Sequence, residues 1–197
     1  MAALAHATAN KTPLALLSGP AVRALLPSLD DIEATYFTLD GFQDELNGAA
    51  LSHMTARELQ AVGLPYNTCC RFLLHLYSRE HGLDITRDAA GSLLCVRSGA
   101  SYNWRKKHLD NMPKTSVRLD DIYDSSDWSG PTLASLTLEF LLDHQPRLKD
   151  KVEGVALLLG AIREGIRKDV ESGVAPAWTL AWTAAVPLCD VPAPSAM

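Results

Sequence analysis

The 197-residue chain lacks most of the signals by which a sequence declares a chemistry. It holds no GxxxxGK[ST] or GxGxxG phosphate cradle, no HExxH, no GxSxG and no EF-hand loop. Its four cysteines, Cys69, Cys70, Cys95 and Cys189, form neither a CxxC nor a Cys/His ligand spacing. Two of them are adjacent, which disfavours a disulfide framework and points to buried thiols in a reducing compartment. No apolar run approaches the ~18 to 20 residues that span a bilayer. A net charge of −5 argues against a nucleic-acid binder that works by overall charge and leaves only a local basic patch to consider. Acidic residues are missing altogether from residues 1–29, where Lys11 and Arg23 are the firm cations. That composition fits a solvated or loosely helical lead, with an organellar transit segment as the alternative; no basic flank runs into an apolar core as a secretory signal requires. The expected location is therefore cytoplasmic, or organellar if residues 1–29 are a transit segment.

What is present is an ordinary globular composition, 47% hydrophobic and 21% charged, sufficient for a core. It carries a faint internal repeat. Asn47-Gly48-Ala49-Ala50-Leu51 through Glu58-Leu59 reads like Ser129-Gly130-Pro131-Thr132-Leu133 through Phe140-Leu141. Leu29-Asp30-Asp31-Ile32 precedes the first copy and Leu119-Asp120-Asp121-Ile122 the second. The length is that of a domain duplication and not of a solenoid unit. Gly48 suits a positive φ after Asn47. Thr55 with Glu58 forms a capping box, Gly63 and Pro65 close the short helix behind it, and Asn67 or Thr68 is placed to cap a longer helix to about Glu80.

Between the copies, Leu83 to Arg87 alternates and Leu93 to Val96 is β-prone, so residues 83–98 read as a hairpin or as an irregular linker. The clearest helix runs from about Asp150 to Glu171. Val152, Val155, Ala156, Leu159, Ile162, Arg163, Ile166 and Val170 lie along one stripe, Leu157 and Leu158 widen it, and Glu164 can pair with Lys168. The expected organisation is all-α: a flexible lead at 1–21, a helical module at 22–82, a connector at 83–116, a second helical module at 117–172 and a Pro-rich tail at 173–197. The histidines at 6, 53, 75, 81, 108 and 144 read as surface or cap residues. Trp178 and Trp182 are expected to fold back over the protein's own core.

The stretch Leu46-Asn47-Gly48 through Gly63-Leu64, with the helix at 68–80 behind it, resembles the middle of a sterile alpha motif (SAM) domain, a small five-helix bundle. The resemblance covers roughly residues 22–81. It departs from the family pattern at Thr68, Cys70 and Arg71, where a glycine followed closely by a basic residue is usual. Residues 117–171 keep Ser129-Gly130, Leu133, Leu136-Thr137, Leu141 and Gly154 but replace the Leu-Gly-Ile step with Gln145-Pro146-Arg147-Leu148. They are either a degenerate SAM-like bundle or an unrelated helical unit.

The resemblance implies protein–protein association, in which an acidic mid-loop face meets the start of the last helix on a partner. It places Asp44, Glu45, Asp121, Asp124 and Asp127 on the acidic faces. Tyr66, Asn67 and Arg71, and Lys149 and Lys151, fall at the helix starts. A helix start carries partial positive charge and unpaired N–H groups, so it suits an acidic face. Such heterologous contacts give open polymers or an intramolecular stack. The expected function is a scaffold or oligomerisation adaptor, non-catalytic, with no cofactor, metal or small-molecule substrate. Two alternatives stand beside it. One is RNA binding through the basic-aromatic patch Tyr102, Trp104, Arg105, Lys106 and Lys107, by stacking and phosphate contacts. The other is a self-assembling structural protein, such as a viral one.

Overall fold

The computed structural model describes residues 12–25, 46–96, 101–122 and 128–194. Among these, every regular element is helical and no strand occurs, so the chain is all-α. It divides into two units: residues 1–84 with 184–193, and residues 85–183 with 194–197.

The first unit opens on a 3-10 turn, Leu14–Leu16, followed by helices α1 (Gly19–Arg23), α2 (Gly48–Ser52), α3 (Ala56–Ala61) and α4 (Tyr66–Glu80). The caps follow the local chemistry. Asn47 Oδ1 accepts from Ala50 N at 2.9 Å at the start of α2. At α3 the capping box closes: Thr55 Oγ1 accepts from Glu58 N at 3.2 Å, and Thr55 N donates to Glu58 Oε2 at 2.7 Å. The bonds from the Thr55 backbone and hydroxyl hold the Glu58 carboxyl below its usual range. Gly63, at φ 108°, ends the element. The expected side-chain cap at Asn67 or Thr68 is not used. The helix begins at Tyr66, with Pro65 in the N-cap position and no side-chain cap bond, because the proline fixes the entry dihedral and both polar residues lie within the first turn.

Gly48 corrects another expectation. It is not among the positive-φ glycines; it opens α2 and donates its N–H to Leu17 O at 2.9 Å. A Cβ there would stand 1.7 Å from Leu14 O, so the position needs the absence of a side chain and not a special dihedral. Leu14, Leu17, Val22, Leu51, Leu59 and Phe72 are buried in the core of this unit. The stretch read as a Pro-rich tail also contributes: Ala184 O accepts from Ala56 N at 2.8 Å, Pro192 O from Tyr77 Oη at 2.7 Å, and Leu188–Asp190 makes a 3-10 turn.

The second unit begins inside the stretch read as a connector. Helix α5 (Ile85–Asp88) and the 3-10 turn Leu93–Cys95 replace the hairpin considered for 83–98. The reason is local. The Cys95 thiol reaches the carbonyls of Ile85 and Ala89, each at 2.9 Å, and draws the segment into a closed loop; an isolated hairpin has no such anchor. Helix α6 (Ser101–Leu109), the 3-10 turn Leu119–Asp121, α7 (Gly130–Ala134), α8 (Leu138–His144), the 3-10 helix Pro146–Lys151, α9 (Val152–Glu171) and α10 (Trp178–Ala181) follow. Thr137 Oγ1 caps α8 by accepting from Phe140 N at 3.1 Å. Gly130 opens α7 and donates to Val96 O at 2.8 Å; its missing Cβ would fall 1.6 Å from Leu93 O. Trp178 and Trp182 are both buried, as the sequence led us to expect.

The α9 stripe is rotated from the one read in the sequence. Its buried set is Gly154, Val155, Leu158, Ile162, Gly165, Ile166 and Asp169, while Val152 and Leu157 are 40% and 43% exposed. The glycines belong to the buried face because backbone and rings come close there. A Cβ on Gly154 would meet Thr115 O at 2.8 Å, and one on Gly165 the Trp104 ring at 2.9 Å. The Glu164–Lys168 pair forms at 3.7 Å, although Arg167, with Nε 2.7 Å from Glu164 Oε2, is the closer partner.

Gly160 serves neither purpose: an added Cβ there meets nothing within 4 Å. Gly160→Ala is therefore expected to stabilise the second unit by about 0.5–1 kcal/mol through helix propensity and a less flexible unfolded chain. The urea midpoint followed by tryptophan emission reads this, and an unchanged or lowered midpoint would mean that this face of α9 is covered.

Candidate interaction surfaces

The most tightly built polar cluster lies where α6 packs on α9. Asp169 is 1% exposed. Its Oδ2 accepts from Trp104 Nε1 at 2.8 Å; its Oδ1 accepts from Lys107 Nζ at 2.6 Å and faces His108 Nε2 at 3.0 Å. Nε2 must carry the imidazole proton to face a carboxylate. The Asp169 carbonyl accepts from Val174 N and Ala175 N at 2.8 and 3.0 Å, so one residue fixes both the neighbouring helix and the chain's exit from α9. Gly165 clears the space into which the Trp104 ring fits. Burial alone would push the Asp169 carboxyl up, but the bonds from Lys107 and Trp104 and the charges of His108 and Lys107 outweigh it and hold it down. Burial, with Lys107 and Lys168 nearby, pushes the His108 imidazole below its ordinary value despite Asp169.

This cluster takes apart the basic-aromatic patch expected to contact RNA. Trp104 is buried and hydrogen-bonded, so its ring faces offer no stacking platform; Lys107 is held by Asp169 and Arg105 by Asp120. Tyr102 and Lys106 remain exposed, at the edge of a cleft of about 520 Å³ that they share with Leu109, Met112, Arg118 and Leu158. His108, read as a surface histidine, is instead largely enclosed. The signal was available in the sequence. Trp104, Lys107 and His108 stand at i, i+3 and i+4, which puts all three on one helix face.

The residues expected on SAM-type faces are distributed unevenly. Tyr66 and Asn67 are buried, which removes them as surface contacts; burial also pushes the Tyr66 phenol far up. Arg71 is half-buried. Lys149 and Lys151 are exposed at the entry to α9, beside the exposed Val152. Asp121 is exposed too. Its Oδ2 accepts from Arg118 N at 2.8 Å, closing its own turn, and its carbonyl accepts from Arg147 Nη2 at 2.5 Å. Asp44, Glu45, Asp124 and Asp127 lie outside the described residues.

Two features escaped the sequence reading. Asp169 drew no expectation from the sequence, because a lone carboxylate carries no motif. Cys189 and His53 lie far apart in the chain, yet Cys189 Sγ sits 3.4 Å from His53 Nδ1 within the first unit. Among the described residues, no helix is long and apolar enough to cross a membrane. Comparison with family models, with curated proteins and with solved structures returned no match to this chain.

Proposed function

We propose that this chain is a tandem pair of SAM-like modules that acts by protein–protein association, without catalysis, as a scaffold or oligomerisation adaptor. The observation that carries the reading is the exposed cationic start of α9. Lys149, Lys151 and Val152 remain outside, and no side chain caps the helix. The positive end of a 20-residue helix adds to the two lysines. An acidic face containing Asp121, with Asp124 and Asp127 next to it in sequence, is the complementary surface on another copy of the chain.

The duplication half of the reading is supported by one joint that occurs in both units. Gly48 opens α2 against Leu14 O and bonds to Leu17 O; Gly130 opens α7 against Leu93 O and bonds to Val96 O. In both, a threonine-capped short helix and then a long one come next in the chain. RNA binding is the weaker reading, since Trp104, Arg105 and Lys107 all have intramolecular partners.

Lys149→Glu with Lys151→Glu is expected to weaken self-association at least tenfold in concentration-dependent light scattering. Asp121→Lys with Asp124→Lys should do the same, and mixing the two variants should restore it. Close charge pairs at interfaces reach coupling energies of about 1.5 kcal/mol and more, which makes a tenfold effect reasonable. A particle size that does not change with concentration, or with these charges, rejects self-association by this face.

A further inference from the structure

The described residues contain four instances of one small turn. Each has an extended residue, a leucine that opens a three-residue 3-10 segment, and an extended apolar residue whose N–H returns to the leucine carbonyl. They are Leu14 with Leu17, Leu93 with Val96, Leu119 with Ile122 and Leu188 with Val191, closed at 2.9, 2.9, 3.0 and 3.2 Å. The first three sit within the stretch of chain that builds their own unit. The fourth does not: it returns to the first unit after residues 85–183 have built the second.

We propose that the first unit carries a docking site for a proline-flanked Leu-x-x-Val turn. Residues 187–192 of the same chain fill it, and the same segment of a second copy of the chain exchanges into it. The seat recognises features that any such segment brings. Leu188 and Val191 are buried to 8% and 6% exposure, and Pro187 and Pro192 hold the flanks extended. Two hydrogen bonds hold the tail's backbone: Tyr77 Oη donates to Pro192 O and Ala56 N donates to Ala184 O. Burial raises the Tyr77 phenol and keeps it a donor. Little in these contacts depends on covalent connection, and this is the condition under which a segment is traded between copies. A cleft of about 390 Å³ opens beside the tail, lined by Leu14, Leu76 and Tyr77 and by Leu188 and Val191. This surface belongs to the first unit and Asp121 and Lys149 to the second, and the proposal does not depend on those charges.

The test is a fluorescent synthetic peptide of residues 184–194, with Ser in place of Cys189, titrated into the full chain. Against the full-length variant Leu188→Ala with Val191→Ala, whose own tail is released, it is expected to bind at least tenfold more tightly than against the natural chain. A peptide carrying the same two alanines should lose at least tenfold, and Tyr77→Phe in the released variant should weaken the natural peptide. Concentrating the natural chain should give a reciprocally exchanged dimer that the released variant does not form and that excess peptide dissociates. Equal binding to released and natural chains, or equal binding of the alanine peptide, overturns the proposal, and absence of the dimer in the concentrated natural chain overturns the exchange between copies. Where the released variant does not fold, the natural sequence with a specific protease site inserted between Thr183 and Ala184 decides. After cleavage of the folded chain, the labelled peptide replaces the cut tail if the seat is a docking site. A cut tail that the labelled peptide never replaces overturns it.

Discussion

Gly48→Ala and Gly130→Ala are each expected to destabilise their own unit by about 3–5 kcal/mol, a loss beyond the usual range for a single methyl group. The added Cβ would stand 1.7 Å from Leu14 O in one unit and 1.6 Å from Leu93 O in the other. Both obstacles are backbone, so no rotamer change relieves them. The 3-10 turn has to lift away, which breaks the glycine N–H bonds to Leu17 O and Val96 O. It also draws Leu14 or Leu93 out of the core, at roughly 1.5–3 kcal/mol for each fully buried leucine. The chain offers its own probe for the second unit. All four tryptophans, Trp104, Trp128, Trp178 and Trp182, belong to residues 85–183, so their emission in urea reports that unit. Gly130→Ala should lower the emission midpoint sharply, and the first-unit variant is read by far-UV circular dichroism or by exchange of the Ala56 amide. A midpoint shift in Gly130→Ala no larger than that of an ordinary surface alanine would mean that the joint yields easily and does not define the module.

The contrast between Gly48 and Gly160 shows what the sequence made legible. Both are glycines in helices, yet one is required by a carbonyl from a distant turn and the other by nothing in contact. Elements set by local chemistry were readable: the Thr55–Glu58 capping box, the glycine stop at Gly63 and the all-α class. Elements set by what approaches from elsewhere in the chain were not. The α9 face misled because hydrophobic periodicity gives no weight to Gly154, Gly165 or Asp169, and these three receive the loop at Thr115, the Trp104 ring and the cluster around it. The region 83–98 misled for a related reason. Its alternation fitted a strand, but the thiol of Cys95 and the turn at Leu93 fix it as the start of the second unit. The sequence similarity was read from Leu29 and Leu119, whereas the glycine joints lie against Leu14 and Leu93, stretches that resemble each other in little beyond the spacing of apolar residues.

Asp169 sets the second large expectation. Asp169→Ala leaves the Trp104 N–H, the His108 N–H and the Lys107 ammonium without their common acceptor, and each buried donor left unsatisfied costs about 1–3 kcal/mol. Lys107 is half exposed and re-enters water, so the cost falls mainly on the enclosed Trp104 and His108. Asp169→Asn keeps a carbonyl for one of them and should cost less, about 1–3 kcal/mol.

The same cluster fixes how stability responds to acid. His108 has a folded pKa below its ordinary 6.5, so between those two values the unfolded chain binds the extra proton. Stability is complete above about pH 6.5 and declines as the pH falls from there toward the folded value. Asp169 is likewise held below its ordinary 3.8, so its contribution persists to about that pH and is lost as the pH falls through its folded value. Two acid steps in the tryptophan-detected urea midpoint are therefore expected. His108→Asn should abolish the upper one and leave the lower, and Asp169→Asn should remove the lower one. A midpoint that rises as the pH falls from 7.5 to 5.5 in the natural chain would mean that the imidazole sits on Asp169 already protonated. The cluster would then be an ion pair between α6 and α9, not a neutral donor held beside a carboxylate that Lys107 and Trp104 have already satisfied.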